Sequence, residues 1–347
     1  MSLPPSEVPQ GAIRFNTDSQ KLEFYAQGEW WIMSTDTPNL GTSGDSTPGA
    51  RGLFGGGYDS PARRDVIDYI NISSTGNAID FGNLAEATQL PMGGSSNTRA
   101  VFAGGRTAAD SYNVIQYVTI ASTGNAVNFG DRTVGTANNS GGCSNQTRGL
   151  FNGGNTSNPF APVDNIDYVT IASTGDAVDF GDLHENATQQ AAISSPTRGI
   201  FAGGYAPGTP HNDALMEFVT ISTLGNTQDF GEFAASQNLR MGGCSNATRG
   251  LFGGGQPKSN TSLDTIIMAT LGNAVDFGNL STGRVFLTGT SSPIRGVFAG
   301  GSGPSGYSGD DVIDYVQFST EGASIDFGNL SSARGRSKGL SNAHGGL

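Results

Sequence analysis

Apolar residues do not recur along this chain at helical spacing. They come in runs of four to six β-branched and aromatic residues bounded by Gly, Asn, Ser and Pro, which is the pattern of β-strands. The runs return in a fixed order. Arg51-Gly52-Leu53-Phe54-Gly55-Gly56-Gly57 comes back at 99–105, 148–154, 198–204, 249–255 and 295–301. A second run, Ile67-Asp68-Tyr69-Ile70-Asn71-Ile72, follows each time, at Tyr117 to Ile120, 166–171, Phe218 to Ile221, Ile266 to Met268 and 313–318. A third, Gly76-Asn77-Ala78-Ile79-Asp80-Phe81-Gly82-Asn83-Leu84, has copies centred on Phe129, Phe180, Phe230, Phe277 and Phe327. A weaker fourth run of small residues precedes the arginine, as in Gly94-Ser95-Ser96-Asn97 and Gly142-Cys143-Ser144-Asn145.

The sequence therefore predicts six units of about 49 residues, each a four-stranded antiparallel sheet with strands a to d. Ser74 to Asn77 and Ser122 to Asn125 read as c–d hairpin turns, because Gly and Asn tolerate positive φ. In strand c, Ile67 and Tyr69 lie on one face while Val66, Ile70 and Ile72 lie on the other. A sheet apolar on both faces must be covered on both. Repeated four-stranded sheets of this length are the units of a β-propeller.

Composition narrows the function classes. Gly supplies 53 of 347 residues, and 14% of the chain is charged, against averages of about 7% and about 25%. The net charge is −12 and only Lys21, Lys258 and Lys338 are lysines. Nucleic acid and anionic lipid demand clustered cations, so neither is an expected partner. No apolar run reaches the roughly 18 residues of a membrane span, and the first residues lack the pattern of a signal peptide. Two cysteines exclude a disulfide scaffold.

The Phe-x-Gly-Gly ending of strand b, at Gly56-Gly57 and its five copies, resembles the di-glycine of kelch repeats, although Asp-Phe-Gly stands in strand d and the kelch Tyr and Trp pair is absent. The repeat as a whole, with the opening Gly11-Ala12-Ile13-Arg14-Phe15-Asn16 and the ending Ser341-Asn342-Ala343-His344-Gly345-Gly346-Leu347, is similar to the Gly-rich kelch-like repeat virion proteins of tailed phages of marine cyanobacteria. The resemblance implies a tail-fibre-like or particle-decorating protein of the virion, assembled in the host cytoplasm. It implies no enzymatic activity and no cofactor.

The ends do not follow the repeat. Within residues 1–38, Gly11 to Asn16, Lys21 to Gln27 and Glu29 to Met33 read as three short strands. Both tryptophans, Trp30 and Trp31, lie there beside Phe24 and Tyr25. A module this small cannot bury such aromatics alone, so these four either pack on the first propeller sheet or are the candidates for attachment to another protein or a second copy. Short β-modules ending in Trp resemble those that join phage fibres to the particle. At the other end, Gly339 to Ala343 aligns with Gly243 to Ala247 and reads as a spare strand a. Residues 45–50 make a poor one, with Pro48 and Gly49 where a ladder is needed. The expected ring over residues 39–347 thus has six sheets closed by the C-terminal strand. The alternative has seven, with the N-terminal module supplying strands b, c and d.

Candidate chemistry is sparse. The repeat arginines Arg51, Arg99, Arg148, Arg198, Arg249 and Arg295 read as structural residues paired with the strand-d acids Asp80, Asp179, Asp229, Asp276 and Asp326, for which the planar guanidinium is suited. His184, His211 and His344 lack metal-ligand spacing, and Cys143 and Cys244 read as buried core thiols. No metal is expected. The loops between strands b and c vary in length and carry Tyr58, Tyr112, Phe160, Tyr205, His211 and Tyr307, a composition suited to recognising a host surface glycan or protein. The alternative is an enzyme acting on surface polysaccharide, which would need carboxylates converging on the ring axis.

Overall fold

The computed structural model describes residues 8–16, 21–32, 50–157 except 138–140, 160–205, 214–234, 239–256, 261–303 and 308–347. The chain divides into two compact units, Met1–Gly49 and Ala50–Leu347. The boundary expected after residue 38 lies outside the described residues. Among the described residues every regular element is a strand, and no helix is long and apolar enough to cross a membrane.

The first unit is a three-stranded antiparallel sheet, β1 (Ile13–Asn16), β2 (Lys21–Ala26) and β3 (Glu29–Ile32). Gln27 and Gly28, with φ of 54° and 85°, make the two-residue turn between β2 and β3, where both positions take positive φ.

The second unit contains six four-stranded antiparallel sheets, an architecture consistent with a β-propeller. Numbering them in chain order by strand b, these strands are Arg51–Gly55, Arg99–Thr107, Arg148–Asn152, Arg198–Ala202, Arg249–Gly253 and Arg295–Ala299. In sheets 2 to 6 strand a immediately precedes strand b. In sheet 1 it is the C-terminal Lys338–Ser341, which pairs Leu340 with Leu53 and Ser341 with Gly52. The C-terminal strand is thus spent on a sheet that already has its own strands c (Val66–Asn71) and d (Ile79–Asn83).

The Asp-Phe-Gly signature has a geometric reason. Ile67 pairs with Gly82 and Asp68 with Asp80, so Phe81 is the extra residue of a bulge; the same shift recurs in every sheet. The bulge turns Phe81 inward, 2% exposed, where it meets Tyr69 edge-on at 6.0 Å. Gly82 follows at φ 148°. A Cβ there would lie 2.4 Å from the carbonyl oxygen of Gly124 in the next sheet, so a side chain would force neighbouring sheets apart. The cores lie between sheets: Leu53, Ile67 and Phe81 of sheet 1 cluster with Ala100, Phe102 and Val118 of sheet 2.

Candidate functional site

The repeat arginines do not take the strand-d acids as partners. Asp80, Asp179, Asp229, Asp276 and Asp326 are exposed. Each arginine instead reaches the neighbouring sheet and donates to a main-chain carbonyl just beyond its strand c. Arg51 donates to Ile120, Arg99 to Ile171, Arg148 to Ile221, Arg198 to Met268 and Arg249 to Phe318, at 2.8–3.0 Å. Arg295 of sheet 6 donates to Ile72 of sheet 1 at 2.9 Å. The guanidinium carbon lies over a ring of the arginine's own sheet, 4.6 Å from the Tyr69 centroid for Arg51. Sheet 5 has Thr265 where that ring stands, and Arg249 lies over Phe277 at 5.7 Å instead. Stacking holds the fork in plane while its N–H groups satisfy carbonyls at a strand end.

Two further sets of bonds repeat with the same step. Each c–d turn glycine donates to the bulged Phe of the preceding sheet: Gly124 to Phe81, Gly175 to Phe129, and onward to Gly76 of sheet 1 donating to Phe327 of sheet 6, all at 2.8–2.9 Å. Near the axis, each strand-a serine hydroxyl donates to the main-chain carbonyl of the preceding serine. Ser95 donates to Ser341, Ser144 to Ser95, Ser194 to Ser144, Ser245 to Ser194, Ser291 to Ser245 and Ser341 to Ser291, at 2.6–2.9 Å. The small residues of strand a have a steric cause: a Cβ on Gly289 would lie 2.2 Å from the Gly243 carbonyl oxygen, and one on Gly339 would lie 2.4 Å from that of Gly289. Cys143 and Cys244 are free and buried. Their sulfurs occupy the room left by Gly199 and Gly296 of the following strand b, and burial pushes the Cys143 thiol up to about 12.

The acids that do form buried pairs lie in strand c. Asp167, Asp314 and Asp68 meet Arg132, Arg284 and Arg334 of the preceding sheets at 3.0, 2.5 and 2.9 Å, all essentially without solvent contact. An acid in the middle of an apolar strand, as in Ile67-Asp68-Tyr69, was the sequence signal for such a partner.

A small cavity is lined by strand a of all six sheets together with Lys338 and His344. Lys338 donates to the Gly142 carbonyl at 2.9 Å, and burial draws it down to about 8. No carboxylate is among the lining residues. The C-terminal residues lie against strand a of several sheets, Gly345 beside the Ser194 carbonyl and Gly346 beside that of Ser144. His344 Nε2 lies 3.0 Å from the Ser95 carbonyl and 3.2 Å from Ser144 Oγ. Its Nδ1 accepts from Gly346 N–H at 3.0 Å, which puts the ring proton on Nε2. Burial lowers His344 to about 4. A search of protein-family models finds no match to this chain. A search of curated proteins finds none either. Among the described residues, no cluster of three or more His, Cys, Asp or Glu is placed to hold a metal ion.

The loop aromatics are unevenly presented. Tyr205 is 47% exposed. Tyr58 is half-buried with Arg336 over its ring at 5.0 Å. Tyr112 is half-buried, and burial followed by the Glu86 and Asp131 charges raises its hydroxyl above the usual range. Phe160 begins a short strand, Phe160–Pro162; its side chain, His211 and Tyr307 lie outside the described residues. The four N-terminal aromatics divide between two faces. Ile13, Phe24 and Trp31 are cross-strand partners and all exposed, Trp31 at 49%. Tyr25 and Trp30 lie on the opposite face, their rings 5.3 Å apart, where Arg14 lies over Trp30 at 4.1 Å and pairs with Glu23 at 2.8 Å. Ile13 and Phe15 therefore belong with Phe24 and Trp31; strict alternation along Ile13-Arg14-Phe15-Asn16 carried that signal.

Proposed function

We propose that residues 50–347 form a closed kelch-like propeller of six blades, and that the chain is a non-enzymatic structural protein of a phage virion. In this reading the N-terminal module attaches it to other virion proteins, and the b–c loops face the host cell surface. The six-membered cycles of serine, arginine and turn-glycine hydrogen bonds support the closed ring, since each returns from the sixth sheet to the first. The observation that carries attachment is the exposed apolar face of Ile13, Phe15, Phe24 and Trp31 on a sheet of three short strands. Apolar patches on so small a module mark interaction surfaces. The axial lining of glycine, serine and other small residues favours display over polysaccharide cleavage.

Mass spectrometry of purified phage particles tests the reading. The chain is expected in the particles, and Phe24→Ser with Trp31→Ser is expected to deplete it from them while leaving thermal unfolding of the propeller unchanged. Absence of the unaltered chain from particles overturns the virion assignment. Normal incorporation of the double variant overturns the attachment face.

A further inference from the structure

The axis has a second opening at the edge where strand d leads into strand a. Three residues before each Gly93-type position, the chain takes a left-handed turn without using glycine. Leu90, Gln189, Arg240, Phe286 and Arg336 have φ of 55° to 63°; the sixth equivalent, residue 139, lies outside the described residues. Left-handed backbone is strained for an L-residue, and five such residues in register are held by a chain of main-chain bonds. Leu90 N–H donates to Arg336, Arg336 to Phe286, Phe286 to Arg240 and Arg240 to Gln189, at 2.7–3.2 Å. Glycine would make the turn without that cost. The side chains are what the strain retains.

Those side chains rim a cavity that is open to solvent. Arg240 and Arg336 both stack on Phe286, at 4.7 and 4.4 Å from its centroid. Gln189 Oε1 accepts from Arg240 Nε at 2.8 Å, and Gln89 Oε1 accepts from Arg336 Nη1 at 3.2 Å. Two planar forks are thus fixed in orientation beside one ring. Lys338 lines the same cavity and the inner channel. Three cations line this cavity in a chain of net charge −12, and no carboxylate is among its described lining residues.

We infer that this opening is a binding site for a single oxyanion group on a sugar unit, a carboxylate or a sulfate. Arginine forks match carboxylate and sulfate oxygens two at a time. The field of an acidic chain disfavours a dense polyanion, so the ligand carries sparse charge. Tyr205 and Tyr58, at the start of two b–c loops, are joined to the same edge by the Thr188–Tyr205 and Tyr58–Gly335 bridges, so a polymer bound at the opening meets aromatic rings beside it. The anion site stands on the axial geometry alone; its sugar ligand rests on the display reading above.

Titration calorimetry of the full chain at low salt tests this with D-galacturonate, D-galactose and inorganic sulfate. Galacturonate is expected to bind one per chain, at least tenfold tighter than galactose, and to weaken as salt rises. Arg240→Gln and Arg336→Gln are each expected to weaken it about tenfold, and Arg240→Lys less. Equal affinity for galactose and galacturonate overturns the site, as do folded variants that bind unchanged. If the variants do not fold, competition in the unaltered protein decides: sulfate that displaces galacturonate supports the site, and sulfate that does not overturns it. Sulfate binding without galacturonate binding overturns the sugar assignment. A chain that binds galacturonate but is missing from particles keeps the site and removes only the virion reading.

Discussion

At one edge of the sheets, where strand a turns into b and strand c into d, neighbouring sheets meet six times in the same way. The serine, arginine and turn-glycine bonds recur at every joint. At the other edge the joints differ. Three use a buried Arg–Asp pair. Between sheets 1 and 2, Gln116 accepts from the Ala85 main chain. Between sheets 3 and 4, Glu217 takes the His184 main chain and the Thr227 hydroxyl. In sheet 5 Asp264 holds the position, and burial raises it to about 6, with Asp276 adding to the shift. A main-chain carbonyl is the same acceptor in every sheet, so these bonds repeat wherever the glycines, serines and arginines repeat. A side-chain joint must be solved anew in each sheet, which leaves that edge free to vary in sequence and to carry the cation-rimmed opening.

The largest effect is expected at a variable joint. Arg334→Met leaves Asp68 buried without its cation, and loss of one member of such a pair costs about 3–5 kcal/mol. Denaturant unfolding should show that loss, and adding Asp68→Leu should recover most of it. A double variant as unstable as the single one would mean that the pair's geometry holds the joint.

Next comes the repeated edge. At Gly278, with φ 151°, a Cβ would fall against the Gly322 carbonyl of the next sheet. Gly278→Ala is expected to cost about 3 kcal/mol from backbone strain and the forced separation. The equivalent change at any of the other five bulge glycines, Gly82, Gly130, Gly181, Gly231 and Gly328, should cost about the same. A wide spread among the six would break the claim that these joints are equivalent.

The smallest effect is graded with pH. His344 is lowered from 6.5 to about 4 in the folded chain, first by burial. Between those values the unfolded chain binds the extra proton, so stability conferred by the neutral ring is complete above pH 6.5 and falls as pH drops toward 4. The slope is at most about 1.4 kcal/mol per pH unit. Asp264 works in the opposite sense, since its folded value lies above 3.8, and it adds stability as pH falls through 6. Stability measured against pH for the native chain and His344→Gln separates the two: the variant should lose the acid-side decline and keep the Asp264 rise.

Much of this was legible in the residues. Strands announce themselves by short β-branched runs, and six copies of the Arg-x-x-Phe-x-Gly tract carry the sheet order. The C-terminal strand was legible too, because Gly339-Leu340-Ser341 repeats a strand-a pattern at a place where only sheet 1 lacks one. The charged partners were not. Arg51 and Asp80 recur in equal number, and counting suggested a pair. The structure instead carries Arg51 to the Ile120 carbonyl and leaves Asp80 exposed.

Local pattern thus determined which residues form strands and how many times the unit returns, since both follow from propensity and periodicity along the chain. Partners across a joint depend on how far one sheet is offset from the next, and the bulge at Phe81 and the approach of Gly82 to Gly124 set that offset. The meeting of Arg240, Phe286 and Arg336 at one opening joins residues from three different sheets. Their spacings of 46 and 50 residues mark them as equivalent repeat positions, but only the tertiary structure decided that the three side chains meet, because that depends on how the sheets stand side by side.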